Sequence, residues 1–181
     1  MQAESLFSDS PQLDVELLLC HVLVCDRAYL RTWPERALSL DQLAAFETLY
    51  ARRKAGEPIA HLVGNRSFWT LDLDVSPATL IPRPDTEILV EQALALALPE
   101  AAAVLDLGTG TGAIALSLAS ERNKWVITAL DVVPAAVSLA QSNAKKNHID
   151  NVIFMVSSWF EKLPASRFDL IVSNPPYIDE N

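Results

Sequence analysis

Cysteine is almost missing: the 181 residues contain two, Cys20 and Cys25, at a spacing that matches neither a metal pair nor a redox motif. A disulfide framework and a thiolate metal centre are therefore excluded. The expected state is two reduced core thiols in a cytosolic compartment. Uninterrupted apolar runs are short, so no segment is expected to cross a bilayer. Met1-Gln2-Ala3-Glu4-Ser5 lacks the basic start and apolar run of a signal peptide. The sequon Asn65-Arg66-Ser67 is accordingly read as chance, and the expected location is cytoplasmic. Basic residues are outnumbered, 14 Lys and Arg against 23 Asp and Glu, for a net charge of −9. That balance argues against a duplex phosphate backbone as the main partner and suits a basic protein or an RNA-mimicking factor. The three histidines, His21, His61 and His148, are scattered and read as structural or surface groups.

Half of the chain is apolar, enough to bury a core in one or two domains. From Ser10 to about Gly56 the pattern is helical. Ser10-Pro11 starts one helix, with Leu13, Leu17, Cys20, His21 and Val24 as its expected stripe. A second helix opens at Ser39 with Gln42 three residues on, a capping box. Leu40, Leu43, Phe46, Leu49 and Tyr50 form its apolar face, and Gly56 with Pro58 stops it. Arg52-Arg53-Lys54 in its last turn is read as a solvated, dipole-complementing cluster. From Leu62 to Leu80 apolar residues alternate at a period near two, a short hairpin. The stiff loop Ile81 to Glu87 then leads into a helix at 88–98, with Asp85 or Thr86 as its cap. Strands at 104–107, 125–130, 151–156 and 168–173 alternate with helices at about 113–121 and 134–147. This alternation predicts an α/β fold, a doubly wound parallel sheet. Trp33, Trp69 and Trp125 are read as core.

The chemistry gathers at the carboxyl ends of those strands. Gly108-Thr109-Gly110-Thr111-Gly112 lies between a strand and a helix. Glycine there lets the backbone turn tightly and approach a ligand, and the helix start offers free N–H groups. Asp131 ends the next strand, where a carboxylate can accept two ribose hydroxyls. The spacing also fits the loose NAD fingerprint, so the loop says nucleoside cofactor without saying which. Ser157-Ser158-Trp159-Phe160 falls at the same edge. So does Asn174-Pro175-Pro176-Tyr177, after the apolar run Phe168 to Val172. Two prolines make that tip rigid and remove backbone donors, leaving acceptors beside an aromatic wall. Such a pocket suits a planar NH2 group.

Asp106 to Gly112, Asp131 and Asn174-Pro175-Pro176-Tyr177-Ile178 together resemble an S-adenosylmethionine-dependent methyltransferase acting on a planar nitrogen. Gly56-Glu57-Pro58-Ile59-Ala60-His61-Leu62 and Ile81-Pro82-Arg83-Pro84-Asp85-Thr86-Glu87 narrow the resemblance to the HemK/PrmC family, which methylates the glutamine amide of peptide chain release factors. The resemblance implies a Rossmann-like class I domain at 81–181, a helical substrate-recognition domain at 1–61 and a β-hairpin linker at 62–80. It implies S-adenosyl-L-methionine as cofactor, with Gly108, Thr109, Gly110, Thr111 and Gly112 at its methionine end. Asp131 would hold the ribose and Trp159 the adenine, with Asn174 beside the cofactor as well. Asn174, Pro175, Pro176 and Tyr177 would hold the substrate glutamine, and Asn174, Pro175 and Tyr177 would carry the catalysis. No metal is required. Ser158 departs from the family pattern, which places an acid beside the adenine amino group. The implied partners are release factors, with neither nucleic acid nor membrane contacted directly.

Other readings stay open on these residues. A ribosomal-protein glutamine would suit the same catalytic motifs. A DNA adenine methyltransferase shares the Asn-Pro-Pro-Tyr tip, though the acidic balance counts against it. An NAD oxidoreductase or a non-catalytic nucleotide-binding module leaves that tip unexplained. The resemblance further implies that strands beyond the tip complete the sheet, so the chain is expected to be truncated, with an open edge and poor activity.

Overall fold

The computed structural model describes residues 6, 8, 10–163, 165 and 167–175. Pro176, Tyr177 and Ile178 of the predicted tip lie outside the described residues. The chain divides into two compact units, Met1–Gly64 and Asn65–Asn181.

The first unit is helical: α1 Pro11–Leu23, α2 Arg27–Thr32, α3 Leu40–Lys54 and α4 Ile59–Val63. The α3 capping box forms as expected, with Gln42 N donating to Ser39 Oγ at 3.2 Å and Ser39 N to Gln42 Oε1 at 3.0 Å. The core is Leu18, Phe46 and Leu62, flanked by Val15, Leu19, Val22, Leu49 and Tyr50. The expected α1 stripe is therefore corrected. Its inward residues are Asp14 and Leu18, while His21 and Val24 are exposed and Val24 caps the helix at φ 51°. The reason is an ion pair. Arg53 Nε donates to Asp14 Oδ2 at 2.7 Å with both side chains largely buried, so the inward face opens on a charged residue and hides from an apolar count. The last-turn arginines are likewise not simply solvated, because Arg52 pairs with Glu57 at 2.6 Å. Trp33 is 53% exposed, and Cys20 and Cys25 are only partly buried beside the α1 terminus, outside the core cluster. Neither part of the core assignment holds for these three residues.

The second unit begins with the predicted hairpin, β1 Asn65–Phe68 and β2 Leu71–Asp74, paired antiparallel. Leu71 and Leu73 point inward and Asp72 outward, the period of two read from the sequence. A 3-10 turn, Pro84–Thr86, runs into α5 Glu87–Ala95. The expected cap at Asp85 or Thr86 is absent: Thr86 already has helical backbone angles, and neither side chain caps the helix. α5 also stops short of the expected Leu98, because Leu96 turns extended at ψ 141° as the chain approaches Pro99.

Then come β3 Ala103–Leu107, α6 Ala113–Glu121, β4 Val126–Asp131, α7 Pro134–Lys146, β5 Val152–Val156 and β6 Leu170–Ser173. The sheet is parallel in the order β5-β4-β3-β6. Side chains alternate across it. Val104, Ile127, Ala129 and Val172 meet α5, α6 and α7 in the main core. Leu105, Leu107 and Leu130 pack on the other face with Met155, Leu163 and Phe168. Each fully buried aliphatic side chain contributes about 1.5–3 kcal/mol. Trp125 is buried in the main core as predicted, while Trp69 is half-buried, its Nε1 donating to Glu121 at 2.8 Å. Ile171 of β6 is 51% exposed. The strand order places a topological switch between β3, which leads toward β4, and β6 on its other side. Ligands of such sheets bind at that crevice, outside the carboxyl ends.

Candidate active site

The glycine turn leaving β3 and the Asn174-Pro175 segment leaving β6 flank the crevice. Gly108 and Thr109 fold back so that both N–H groups donate to the Leu130 carbonyl at 2.9 Å. Gly108, Gly110 and Gly112 all take positive φ, 74°, 56° and 84°, a turn that side chains rarely allow. At Gly112 a Cβ would also lie 3.0 Å from Leu116 Cδ1 and 3.2 Å from Ala140 Cβ. This glycine lets α6 start tight against α7.

Asp131 closes the loop from the other side. Its Oδ2 accepts from Gly110 N at 2.9 Å and its Oδ1 from Val133 N at 2.9 Å. A carboxylate has about four lone-pair sites, so two acceptor positions remain for a diol. A cavity of about 430 Å³ opens here, bounded by Gly108, Gly110, Asp131, Ser158, Trp159, Asn174 and Pro175, with Ala78 to Leu80 from the strap after the hairpin. Trp159 is 58% exposed at φ 45°, its indole available as a wall. Thr109 and Thr111 are buried and face a smaller neighbouring cavity, and Gly112 lines neither. No histidine lines either space.

Asn174 stands at the end of β6. Leu107 and Ser173 are register partners, and the Ser173 hydroxyl donates to the Leu107 carbonyl at 2.9 Å, tying the two strand ends together. Asn174 lines the 430 Å³ cavity and also a separate one of about 190 Å³, formed with Leu80, Arg83, Asp85, Thr86 and Leu89. It also lines the small cavity at the glycine turn, so the three spaces meet at this residue. Asn174 Nδ2 donates to Thr86 Oγ1 at 3.1 Å.

Asp106 lies under the loop, 1% exposed, accepting from the Thr109 hydroxyl at 2.7 Å through Oδ2 while Oδ1 has no partner. Burial pushes its carboxyl up to about 6. The Thr109 hydroxyl bond and the nearby Ala115 N–H moderate the rise, and the Asp131 charge adds to it. In the first unit a further groove of about 820 Å³ runs past Leu19, Tyr29, Trp33 and Arg36.

The same regions match known families. A family model described as the PrmC N-terminal domain matches residues 2–64, and one described as the methyltransferase small domain matches residues 84–181. The chain belongs to the methyltransferase small-domain family. The resemblance to the HemK/PrmC family is upheld by the PrmC N-terminal domain match over residues 2–64. The chain is similar to proteins named release factor glutamine methyltransferase. It is 59% identical to that of Aliivibrio fischeri over 96% of this chain and 62% of the relative. It is 55% identical to that of Escherichia coli over 96% of this chain and 62% of the relative. The chain therefore spans under two thirds of the length of these relatives. Among solved structures, the tRNA (uracil-54, C5)-methyltransferase of Pyrococcus abyssi superposes with TM-score 0.51 at 22% identity, over 62% of this chain and 28% of that one. Trm5b from the same organism gives 0.53 at 22% identity, over 62% and 33%. At that identity the likeness concerns the fold.

Within this methyltransferase domain, three polar groups carry contacts that their sequence positions did not announce. Asp106 entered only as the first residue of the glycine motif. Thr86 was expected to cap a helix, yet its hydroxyl meets Asn174 from a residue 88 positions away. Asn143 carries no signal in the pattern of α7. It is fully buried, its Nδ2 donating to the Thr111 carbonyl at 2.9 Å and the Asp74 carbonyl at 3.0 Å, and its Oδ1 accepting from Asp74 N at 2.7 Å.

Proposed function

We propose that the protein transfers a methyl group from S-adenosylmethionine to the side-chain amide nitrogen of a glutamine in peptide chain release factors. The observation that carries this reading is Asn174, a carboxamide lining two cavities, one of them bounded by a glycine turn and a carboxylate. The names and identity of the relatives support the substrate class.

The 430 Å³ cavity fits the cofactor in its donor set. Gly108 and Gly110 present backbone without Cβ atoms, Asp131 retains acceptor positions for the ribose hydroxyls, and Trp159 offers a flat apolar wall for the adenine. When bound, S-adenosylmethionine supplies an electrophilic methyl group on a sulfonium that leaves as a neutral thioether. This chain's task is then to present the nucleophile. An amide nitrogen is a poor one, because its lone pair is delocalised into the carbonyl. Asn174 Oδ1 and the Pro175 carbonyl would accept from the substrate NH2, fix its plane and favour the positive charge that grows on nitrogen during attack. The alkylated nitrogen then gives up its proton to an acceptor or to water, so no dedicated base is needed. Pro176 and Tyr177 belong to the same proposed pocket, and the helical unit, residues 1–61, is proposed to recognise the protein substrate. The groove past Trp33 and Arg36 gives that unit an exposed surface to do so.

Mass spectrometry of a release factor after incubation with the full-length protein and labelled S-adenosylmethionine tests the reading. The expected product is a single methyl group on a glutamine side chain. Asn174→Ala should lower turnover by about a hundredfold or more, as loss of one oriented polar group does in transition-state pockets, with little change in cofactor affinity. Turnover within a few fold of wild type would remove Asn174 from the chemistry.

A further inference from the structure

The Asn174 side chain has two nearly isosteric ends, a donor NH2 and an acceptor oxygen, and only one of them serves a substrate amide. Its backbone is fixed by the β3–β6 register and by the Ser173 hydroxyl on the Leu107 carbonyl. Neither contact fixes the side chain, and a swing about its χ angles would carry the acceptor away from a substrate NH2. Among the described residues the side chain makes one hydrogen bond, Nδ2 to Thr86 Oγ1 at 3.1 Å, and no donor reaches Oδ1.

We propose that Thr86 is a positioning residue whose hydroxyl holds the Asn174 carboxamide in place for the substrate nitrogen through this bond. The inference rests on the proposed amide methylation and adds to it the group that holds the carboxamide steady. Thr86 is suited to the role by where it sits. It closes the 3-10 turn Pro84–Thr86, whose two flanking anchors are rigid. Before it, Pro82 is buried and Pro84 fixes its own φ. After it, the Glu87 carboxylate accepts from Trp69 N at 2.8 Å, pinning the turn to the hairpin. The Thr86 hydroxyl is spared from capping α5, since the Thr86 backbone is itself helical and its side chain makes no cap bond. With Asn174 it lines both the 190 Å³ cavity and the small cavity at the glycine turn, and it does not line the cavity of Asp131 and Trp159.

The test is a mutant cycle in the full-length protein, with kcat and KM for a release factor and the dissociation constant for S-adenosylmethionine. Thr86→Val keeps shape and removes the hydroxyl. It should lower kcat by about tenfold, the effect of one oriented hydrogen bond, and leave cofactor affinity unchanged. Thr86→Ser, which restores the hydroxyl, should recover kcat to within about threefold of wild type. The deciding arm is the double variant. If Thr86 acts through Asn174, Thr86→Val costs nothing further in an Asn174→Ala background. If it merely supports the fold, it costs the same in both. Equal cost in the two backgrounds, or wild-type kcat in Thr86→Val while Asn174→Ala is impaired, overturns the positioning role. Wild-type turnover in Asn174→Ala instead overturns the proposed reaction.

Discussion

α7 and the hairpin are joined by two asparagines whose removal should have very different consequences. Asn143 and Asn147 are one helical turn apart, and each exchanges two hydrogen bonds with one residue of β2. Asn147 Nδ2 donates to the Asp72 carbonyl at 3.0 Å and its Oδ1 accepts from Asp72 N at 3.2 Å. Asn143 does the same with Asp74 at 3.0 and 2.7 Å. The match is geometric: four residues of helix rise about 6 Å and two residues of strand about 6.6 Å. The two amides thus act as a surrogate strand along the β2 edge. They differ in surroundings. Asn143 is fully buried and also holds the Thr111 carbonyl, whereas the Asn147 bonds to Asp72 are open to water.

Replacing Asn143 by Ala deletes three hydrogen bonds and strands the buried Thr111 carbonyl. An unsatisfied buried group costs about 1–3 kcal/mol, and a partly wet one less. The expected destabilisation is about 3–5 kcal/mol for Asn143→Ala and about 1 kcal/mol or less for Asn147→Ala. Urea unfolding followed by Trp125 fluorescence gives the totals, and native-state exchange of the Asp74 and Asp72 amide hydrogens localises them. Asn143→Leu serves as the volume control, because it fills the space and makes no bonds, so it should be no better than Ala. If Asn143→Ala costs no more than Asn147→Ala, or if Leu rescues it, the buried amide is not what holds the loop to the hairpin.

Asp131→Ala should weaken S-adenosylmethionine binding by roughly 2–3 kcal/mol, the value of a charge-assisted bond lost from a desolvated site; calorimetry showing unchanged affinity would exclude it from the cofactor contacts. Gly112→Ala should destabilise by about 2–4 kcal/mol, combining left-handed strain with contacts at 3.0 and 3.2 Å to Leu116 and Ala140, and an unmoved urea midpoint would contradict this. For Asp106 the sign follows from a folded-state value of about 6, above the ordinary carboxylate value. The unfolded chain releases this proton first as pH rises from about 4 to 6, so the stability of wild type relative to Asp106→Asn should fall by up to about 3 kcal/mol across that window and level off above it; a difference independent of pH would show that the carboxyl is not desolvated.

Local features were legible because their causes are local. The capping box at Ser39 and Gln42, the glycine turn after β3 and the alternation of strand and helix each depend on residues within a few positions of one another. What escaped depends on pairs far apart in sequence. Asp14 faces inward because Arg53, 39 positions on, pairs with it. Asn143 looked like any polar residue on a solvated helix, because nothing in a sequence says that β2 will lie alongside α7. The Thr86 hydroxyl had a plausible local use as a cap, and the distant Asn174 took it instead. Polar groups that bind the backbone or side chains of remote segments leave no periodic trace.

Those remote contacts also explain how a crevice between strand ends becomes a defined cavity. Asp131 is bonded to Gly110, so the candidate ribose acceptor and the glycine turn are one piece. Thr111 in the same turn is bonded to Asn143, and Asn143 to Asp74, just ahead of the strap that supplies Ala78, Thr79 and Leu80 to the cavity wall. On the opposite side Glu87 holds the hairpin turn, and its neighbour Thr86 holds Asn174. The hairpin is therefore anchored twice, once to each wall of the crevice. A change in either anchor should reach both the proposed cofactor side and the proposed substrate side, whereas a change in the exposed Trp159 should be felt at the proposed cofactor side alone.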